Sequence, residues 1–486
     1  MLALFILAPL LGLIVLNLPV GRMAAKLAMV VGLLLSAAQV VAAALRPELL
    51  FSATGPFDNF FTLALSVDSL SRMVLGLIGL IAFVTLLVAQ GMLTQRRQQF
   101  LFTSLVLVAM IGMNGICLVN DLFSLYVFLE VASIASFILI AMNKDGFSLE
   151  GAFKYIVLSA VASVLMVLAI AMLLVVSGTT TFTGIAAAMS SSPNALLVKV
   201  AMGALVCGLL VKGGLVPFHG WVIGAYSAAP APTSVLLAGV VSKVVGVYTL
   251  IRLVISVFGS PSILQPILLT AGVASAVVGA LAALGQSDMK RLLAWSSISQ
   301  MGYILLGLGC ACGGGAGAEL GLAGAVFHFF NHATFKSLLF VNAAAVEQRV
   351  GTTDMKALGG LGSRMPWTST TSALAALSTA GVPPLSGFWS KLVIIIALWQ
   401  SGHTLLAGVA VAVSVLTLAY MLLMQRKVFF GIIRPGLEGT REASASLVLP
   451  SVLLAAITVG VGVAAPLVPQ VYNALKAVVS AVGVTF

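Results

Sequence analysis

Fourteen stretches of this chain are apolar for about the length of a membrane crossing, and this fixes the solvent in which it folds. They run over about 2–18, 24–45, 63–90, 100–119, 121–142, 152–176, 195–226, 232–257, 262–285, 289–310, 317–346, 367–400, 403–430 and 447–468. A spanning helix needs about 20 mostly apolar residues. The runs are continuous rather than alternating, so they predict helices and not the strands of a closed barrel. Of 486 residues, 61% are hydrophobic and 8% charged, against about 25% charged in a soluble domain. So few charges cannot coat so large an apolar core, and mean hydropathy is +1.18. A soluble enzyme, a nucleic-acid-binding module and a disordered scaffold are excluded. The expected fold class is an all-α polytopic membrane protein of about 14 transmembrane helices. No Lys or Arg precedes segment 2–18 and no small-residue cleavage site follows it, so it reads as the first transmembrane helix rather than a signal peptide.

The net charge of +11 is mostly topology. Odd-numbered loops carry Arg22, Lys26, Arg96, Arg97, Lys144, Lys154, Lys290, Arg291, Arg349, Lys356, Arg364, Arg426, Lys427, Arg434 and Arg441. Even-numbered loops carry Arg46, Lys199 and Arg252. Fifteen against three places the odd loops in the cytoplasm and both termini on the outer side, in a prokaryotic-type inner membrane. The four cysteines, Cys117, Cys207, Cys310 and Cys312, contain no CxxC pair, so no iron–sulfur or zinc site is expected in this chain.

Two segments are interrupted. Segment 7 contains Gly213-Gly214-Leu215-Val216-Pro217-Phe218-His219-Gly220-Trp221, and segment 12 contains Gly381-Val382-Pro383-Pro384-Leu385-Ser386-Gly387-Phe388-Trp389. Laying Pro217 on Pro384 aligns PFHGW with PLSGF. Proline removes a donor and clashes one turn back, so breaks are expected at Pro217, Pro383 and Pro384. The two lie five segments apart, an odd number, so helices 4–8 and 9–13 read as inverted repeats, and paired interrupted helices point to an ion path. The expected divisions are 1–99 (helices 1–3), 100–257 (first repeat), 258–430 (second repeat) and 431–486 (a loop plus helix 14).

Charges inside apolar helices are costly, so each one is a functional candidate. Glu130 sits in the middle of helix 5, Lys212 just before the first break, Lys243 in helix 8 and Lys391 just past the second break. On helix 11, His328, His332 and Lys336 recur every four residues on one face, and Asn342 and Glu347 continue it. Such a stripe is either a proton path or a hydrogen-bonded seam. Lysine in a low-dielectric site gives up its proton more readily and a neighbouring carboxylate reverses this; histidine relays protons through either ring nitrogen. Lysines outnumber the one mid-helix acid, which argues against static pairing. Asp68 and Arg72 are spaced for an i,i+4 pair. His219 either extends the path or satisfies carbonyls freed by the break. His403 reads as an exposed loop residue and Asp288 as a helix cap.

The stretches FLEVASIASF, VKGGLVPFHGWVIGAYSAAPAPTSVLLAGVVSKVVGVY, DMKRLLAWSSISQMGYILLGLG, HFFNHATFKSLLFVNAAAV and GVPPLSGFWSKL resemble the antiporter-like subunits of respiratory complex I. The same family includes subunits of group 4 membrane-bound hydrogenases and formate hydrogenlyases and of multisubunit Na+/H+ antiporters. The resemblance covers helices 3–13 and implies a fourteen-helix bundle with inverted repeats and discontinuous helices 7 and 12. It implies a helix 5 glutamate paired with a helix 7 lysine, here Glu130 and Lys212. The connecting lysine falls on Lys243, the helix 11 residues on His328, His332 and Lys336, and the terminal residue on Lys391, a position that is glutamate in some members. The chain ends at Phe486, which suits a shorter member without a lateral helix.

The expected function is a proton- or sodium-translocating subunit of a redox-driven complex, with H+ or Na+ and other membrane and peripheral subunits as partners. Iron–sulfur clusters, flavin or a nickel–iron centre would belong to partner subunits, with no cofactor, metal or nucleic acid bound by this chain. The alternatives are a subunit of a secondary Na+/H+ antiporter and a membrane anchor that has lost transport. An anchor would be free to replace its buried lysines with leucine.

Overall fold

The computed structural model describes residues 2–17, 24–45, 65–191 and 196–467. Arg22 and Arg46 lie outside them. Helix follows helix: α1 (Leu4–Leu16), α2 (Ala24–Leu45), α3 (Ser69–Met92), α4 (Arg96–Leu118), α5 (Leu122–Ile140), α6 (Gly146–Ser177), α7 (Phe182–Ser191), α8 (Leu196–Gly213), α9 (Gly220–Ala228), α10 (Ala231–Leu236), α11 (Thr249–Ser256), α12 (Leu264–Leu284), α13 (Met289–Gly313), α14 (Ala318–Val350), α15 (Pro366–Ala380), α16 (Ser386–Gln400), α17 (Thr404–Val428) and α18 (Ala445–Leu467). Among the described residues, β-pairing is confined to three isolated bridges. Eleven of the described helical spans are long and apolar enough to cross a membrane, and the chain is an integral membrane protein.

Both expected interruptions are present. Segment 7 is α8 and α9, parted by residues 214–219; segment 12 is α15 and α16, parted by residues 381–385. Glycine takes the left-handed turn that ends the first half in each case, Gly214 at φ 67° and Gly381 at φ 86°. A third irregularity has no sequence breaker. Between α10 and α11 the backbone winds as π-helix over Leu237–Val241 and Lys243–Tyr248, within one span, Ala231–Ser256. The short α7 is also absent from the sequence reading, because FTGIAAAMSS lies in a stretch read as a connection.

The bundle is apolar outside and polar within, as lipid requires. Large side chains such as Phe153, Val164, Val175 and Leu405 point outward, while Lys212, Lys243, Lys336, His328 and His332 are wholly buried. The Ala231–Ser256 span lies in the interior, packed against α3, α8 and α14. Alternate connections gather at opposite ends. At one end Gln348 donates to the Gly91 carbonyl (2.9 Å), Thr353 to Asp288 (2.5 Å) and Trp367 N–H to Glu442 (2.8 Å). At the other, Ser66 N–H donates to the Leu118 carbonyl (2.8 Å), Leu122 N–H to the Thr180 carbonyl (2.9 Å), and Arg252 meets Asp68.

Segments 7 and 8 touch backbone to backbone. A Cβ on Gly246 would stand 2.3 Å from the Gly213 Cα and 2.4 Å from its nitrogen. Gly246→Ala should therefore destabilise the detergent-solubilised protein by about 1–3 kcal/mol. Gly203→Ala, with nothing within 4 Å of the new methyl, should leave thermal melting unchanged or slightly raised. Equal melting of the two variants would show that the close approach carries no stability.

Candidate functional site

Asp121 caps α5 through a 2.7 Å hydrogen bond from Ser124 N–H, and two turns on this helix presents Glu130. Lys212 ends α8, where a cation suits the negative end of the helix dipole. The two meet at 2.9 Å, with Lys212 wholly buried and the Glu130 side chain 25% exposed. Ser133 and Ser159 also accept from the ammonium, at 3.1 and 2.6 Å, and Ser163 donates to the same Glu130 oxygen at 2.6 Å. The break behind Lys212 is held by Trp221, whose indole N–H donates to the Val211 carbonyl (2.9 Å) and whose ring stacks on Tyr155 at 3.9 Å.

Among the described residues, no carboxylate pairs with Lys243. Its ammonium donates to the carbonyl of Ala238, five residues back. A π-turn directs its own N–H groups five residues back, so the lysine bonds across one such turn. Tyr226 reaches the same stretch, donating to the Leu237 carbonyl at 3.1 Å and lying 2.6 Å from the Ser242 hydroxyl.

The second half repeats this economy. Lys336 on α14 donates to Ser296 Oγ (2.6 Å) and the Leu293 carbonyl (3.3 Å), and Tyr420 stands 2.8 Å behind Ser296. Lys391 donates to the Thr379 carbonyl (2.8 Å), next to the last residue of α15, and its ammonium lies 4.6 Å from the Tyr303 ring centre. His328 and His332 stack parallel, 6.2 Å between centres, and His328 Nδ1 is 2.9 Å from Ser390 Oγ. His328 Nε2 and both His332 nitrogens are buried without a hydrogen-bond partner among the described residues. Such polar atoms call for water.

Several expectations change. Asp68 does not pair with the Arg72 side chain. Arg72 gives it only the backbone bond of the first helical turn (2.9 Å), and the carboxylate instead binds Arg252 at 2.5 Å. Asp68 caps α3 with Ser71 N–H as donor (2.8 Å), and the i,i+4 spacing lost to a tertiary partner. His219 starts α9, half-buried, with its ring 5.1 Å from that of Trp295. His403 is half-buried against Gln265 (3.0 Å) rather than exposed. Asp288 caps α13 as expected, through Arg291 N–H at 2.9 Å. Glu347 leaves the α14 stripe to pair with Lys290 at 2.6 Å, and Asn342 accepts from Thr371 and Ser451. The sequence reading missed the serines around Lys212. Helical spacing around the acid singles out Ser133 alone, three residues from Glu130; Ser159 and Ser163 share a face of α6, a separate helix, and only the fold brings them to the pair.

Residues 119–417 match a family model described as "NADH:quinone oxidoreductase/Mrp antiporter, TM". A Na(+)/H(+) antiporter component of Alkalihalophilus pseudofirmus is 31% identical over 90% of this chain and 87% of its own length. An NADH-quinone oxidoreductase component of Desulforudis audaxviator is 34% identical over 80% of this chain and 79% of its own. One polypeptide of the Mrp complex from a Dietzia species superposes with a TM-score of 0.89 at 25% identity, covering 99% of this chain and 96% of its own.

Burial alone would raise the Asp68 carboxyl, but the Arg252 guanidinium and the Ser71 donors outweigh it and hold the group below the ordinary carboxylate range. A depressed native value contributes stability above the unfolded value of about 3.9 that is lost as pH falls through the native one. The melting advantage of the wild type over Asp68→Asn should thus be constant near neutrality and shrink below about pH 4. An advantage that persists undiminished to lower pH would exclude the linkage.

Proposed function

The chain belongs to the NADH:quinone oxidoreductase/Mrp antiporter transmembrane family, and on that premise we propose that it moves protons, or sodium, along the buried line Glu130–Lys212–Lys243–His332–His328–Lys391, with Lys336 beside it. It is an antiporter-like membrane subunit of complex I, hydrogenase or Mrp type. The observation that carries the ion path is the Glu130–Lys212 pair at 2.9 Å standing at the head of three further buried lysines that have no such partner among the described residues.

The arrangement suggests how the step is driven. Glu130 holds the Lys212 proton by charge. Ser163 offers the carboxylate a second partner on its more open side. Withdrawal of the carboxylate leaves the ammonium with only Ser133 and Ser159, and a buried cation so stripped passes its proton on. Lys243, on its π-turn carbonyl, is the next acceptor. The unpartnered His332 and His328 nitrogens, bridged by water, lead to Lys391 at the second break. His219, at the first break, lies where such a path would be entered.

For the whole chain we propose fourteen crossings. The eleven long apolar spans are joined by Leu4–Leu16, by Ala318–Val350 and by the broken pair α15–α16. Helices 4–8 (100–257) and 9–13 (258–430) form the inverted repeats, after 1–99 and before 431–486, with the basic loops in the cytoplasm and both termini outside. Solved relatives are chains of multisubunit complexes, so neighbours in the membrane are part of the reading. In the redox-driven form the iron–sulfur, flavin or nickel–iron centres sit in partner subunits. The second reading, a secondary Na+/H+ antiporter without redox partner, is favoured by the Alkalihalophilus and Dietzia relatives.

Purification of the tagged chain in mild detergent separates the two. Co-migrating iron–sulfur, flavin or nickel–iron proteins establish the redox-driven form; small membrane subunits free of redox metal establish the antiporter. In either complex, Lys212→Ala should assemble and lose most ion uptake into vesicles, and Glu130→Gln should lose a large part of it. Wild-type uptake in an assembled Lys212→Ala complex would sink the proposed path.

A further inference from the structure

Arg252 lies nine residues beyond Lys243 on the buried Ala231–Ser256 span, about 13 Å along its axis and one turn from the end opposite the basic loops. Its guanidinium is held from three sides. Nη1 donates to Asp68 Oδ2 at 2.5 Å, and Nη2 donates to Ser71 Oγ at 2.5 Å and to Tyr248 Oη at 3.3 Å. It also stands 5.8 Å from the Tyr248 ring centre. Ser71 and Tyr248 are fully buried and 3.0 Å apart, whereas the Arg252 and Asp68 side chains are 12% and 19% exposed. Polar contacts therefore run from a buried phenol, one turn past Lys243, to a carboxylate at the bundle end. The lysine axis makes no use of them.

A clamp between α3 and α11 needs no charge. Buried ion pairs are often no better for stability than well-packed apolar residues, so the permanent cation is the feature to explain. Arginine stays protonated under all ordinary conditions, and a fixed positive charge in a narrow, weakly polarisable passage repels protons and metal cations. We propose that Arg252, positioned by Asp68, Ser71 and Tyr248, is an electrostatic plug that stops cations passing between the buried lysine axis and the surface at this end of the bundle. The proposal rests on the reading of that axis as an ion path.

The test uses the assembled complex carrying this chain, reconstituted in liposomes that enclose a pH-sensitive dye. A potassium diffusion potential, negative inside, drives passive proton entry. The double variant Asp68→Asn/Arg252→Gln removes both charges, leaves no unpaired ion and keeps hydrogen-bonding groups between the helices. It should admit protons about tenfold faster than the wild type, a barrier lowered by about 1.4 kcal/mol. Arg252→Lys, which keeps the charge, should stay close to wild-type tightness. A double variant as tight as the wild type would reduce the pair to a clamp and overturn the plug. If that variant fails to assemble, Asp68→Asn/Arg252→Met replaces it and carries the same two outcomes. Driven ion transport is measured in the same wild-type vesicles. Its absence would overturn the reading of the axis, whichever way the variants leak.

Discussion

An ammonium group inside a lipid-embedded bundle must find oxygen, and the irregular backbone of this protein follows that need. Lys212 has the Glu130 carboxylate and two hydroxyls. Lys243, Lys336 and Lys391 each rest on a main-chain carbonyl, from Ala238, Leu293 and Thr379. In a regular helix those oxygens are taken by the helix itself. They become available where winding changes or a helix stops: a π-turn below Lys243, the end of α15 beside Lys391. Leu293 is the exception, a carbonyl in the body of α13, and there Ser296 shares the load. Lipid tolerates such irregular backbone only in the protein interior, and the Ala231–Ser256 span is buried along its length.

The sequence shows these features unevenly, for physical reasons. Runs of apolar residues and the GVPP and GGLVP signatures act locally, so the spans and both breaks were legible. The π-turns were not, because VVSKVVGVY contains no residue that forbids an α-helix. What lies against that stretch is tertiary and distant in sequence: the Gly213 backbone beside Gly246, and Ser337 and Ile81 against Gly239. Asp68 shows the same limit from the other side. Its spacing to Arg72 was readable, and its partner, 184 residues away on another helix, was not. Buried charges were easy to find because apolar surroundings make them conspicuous. The serines that complete their coordination were not, since serine is common on helices in membranes and only its distance from Glu130 or Lys336 distinguishes it.

The two halves of the polar line are built differently although both contain a broken helix. In the first, lysine precedes the break and meets an acid that faces outward from the bundle. In the second, lysine follows the break and meets a carbonyl and the face of Tyr303. The Glu130 side chain is 25% exposed, while Lys391 in the second is buried. His328 Nδ1 lies against Ser390 Oγ, whereas its Nε2 and both His332 nitrogens have no hydrogen-bond partner among the described residues.

The contact of Gly213 with Gly246 sets how these lysines are spaced. Lys212 adjoins one glycine and Lys243 precedes the other by less than one turn, and the nearest neighbours of Gly246 there are the backbone atoms of Lys212 and Gly213. Elsewhere in the bundle the gap between helices is a sum of side-chain sizes, and it drifts as those side chains are exchanged over evolutionary time. Here it is the thickness of two peptide chains, a standard of length that no exchange of neighbours can recalibrate. The interval between the two charged groups is thereby tied to main chain rather than to the size of a side chain.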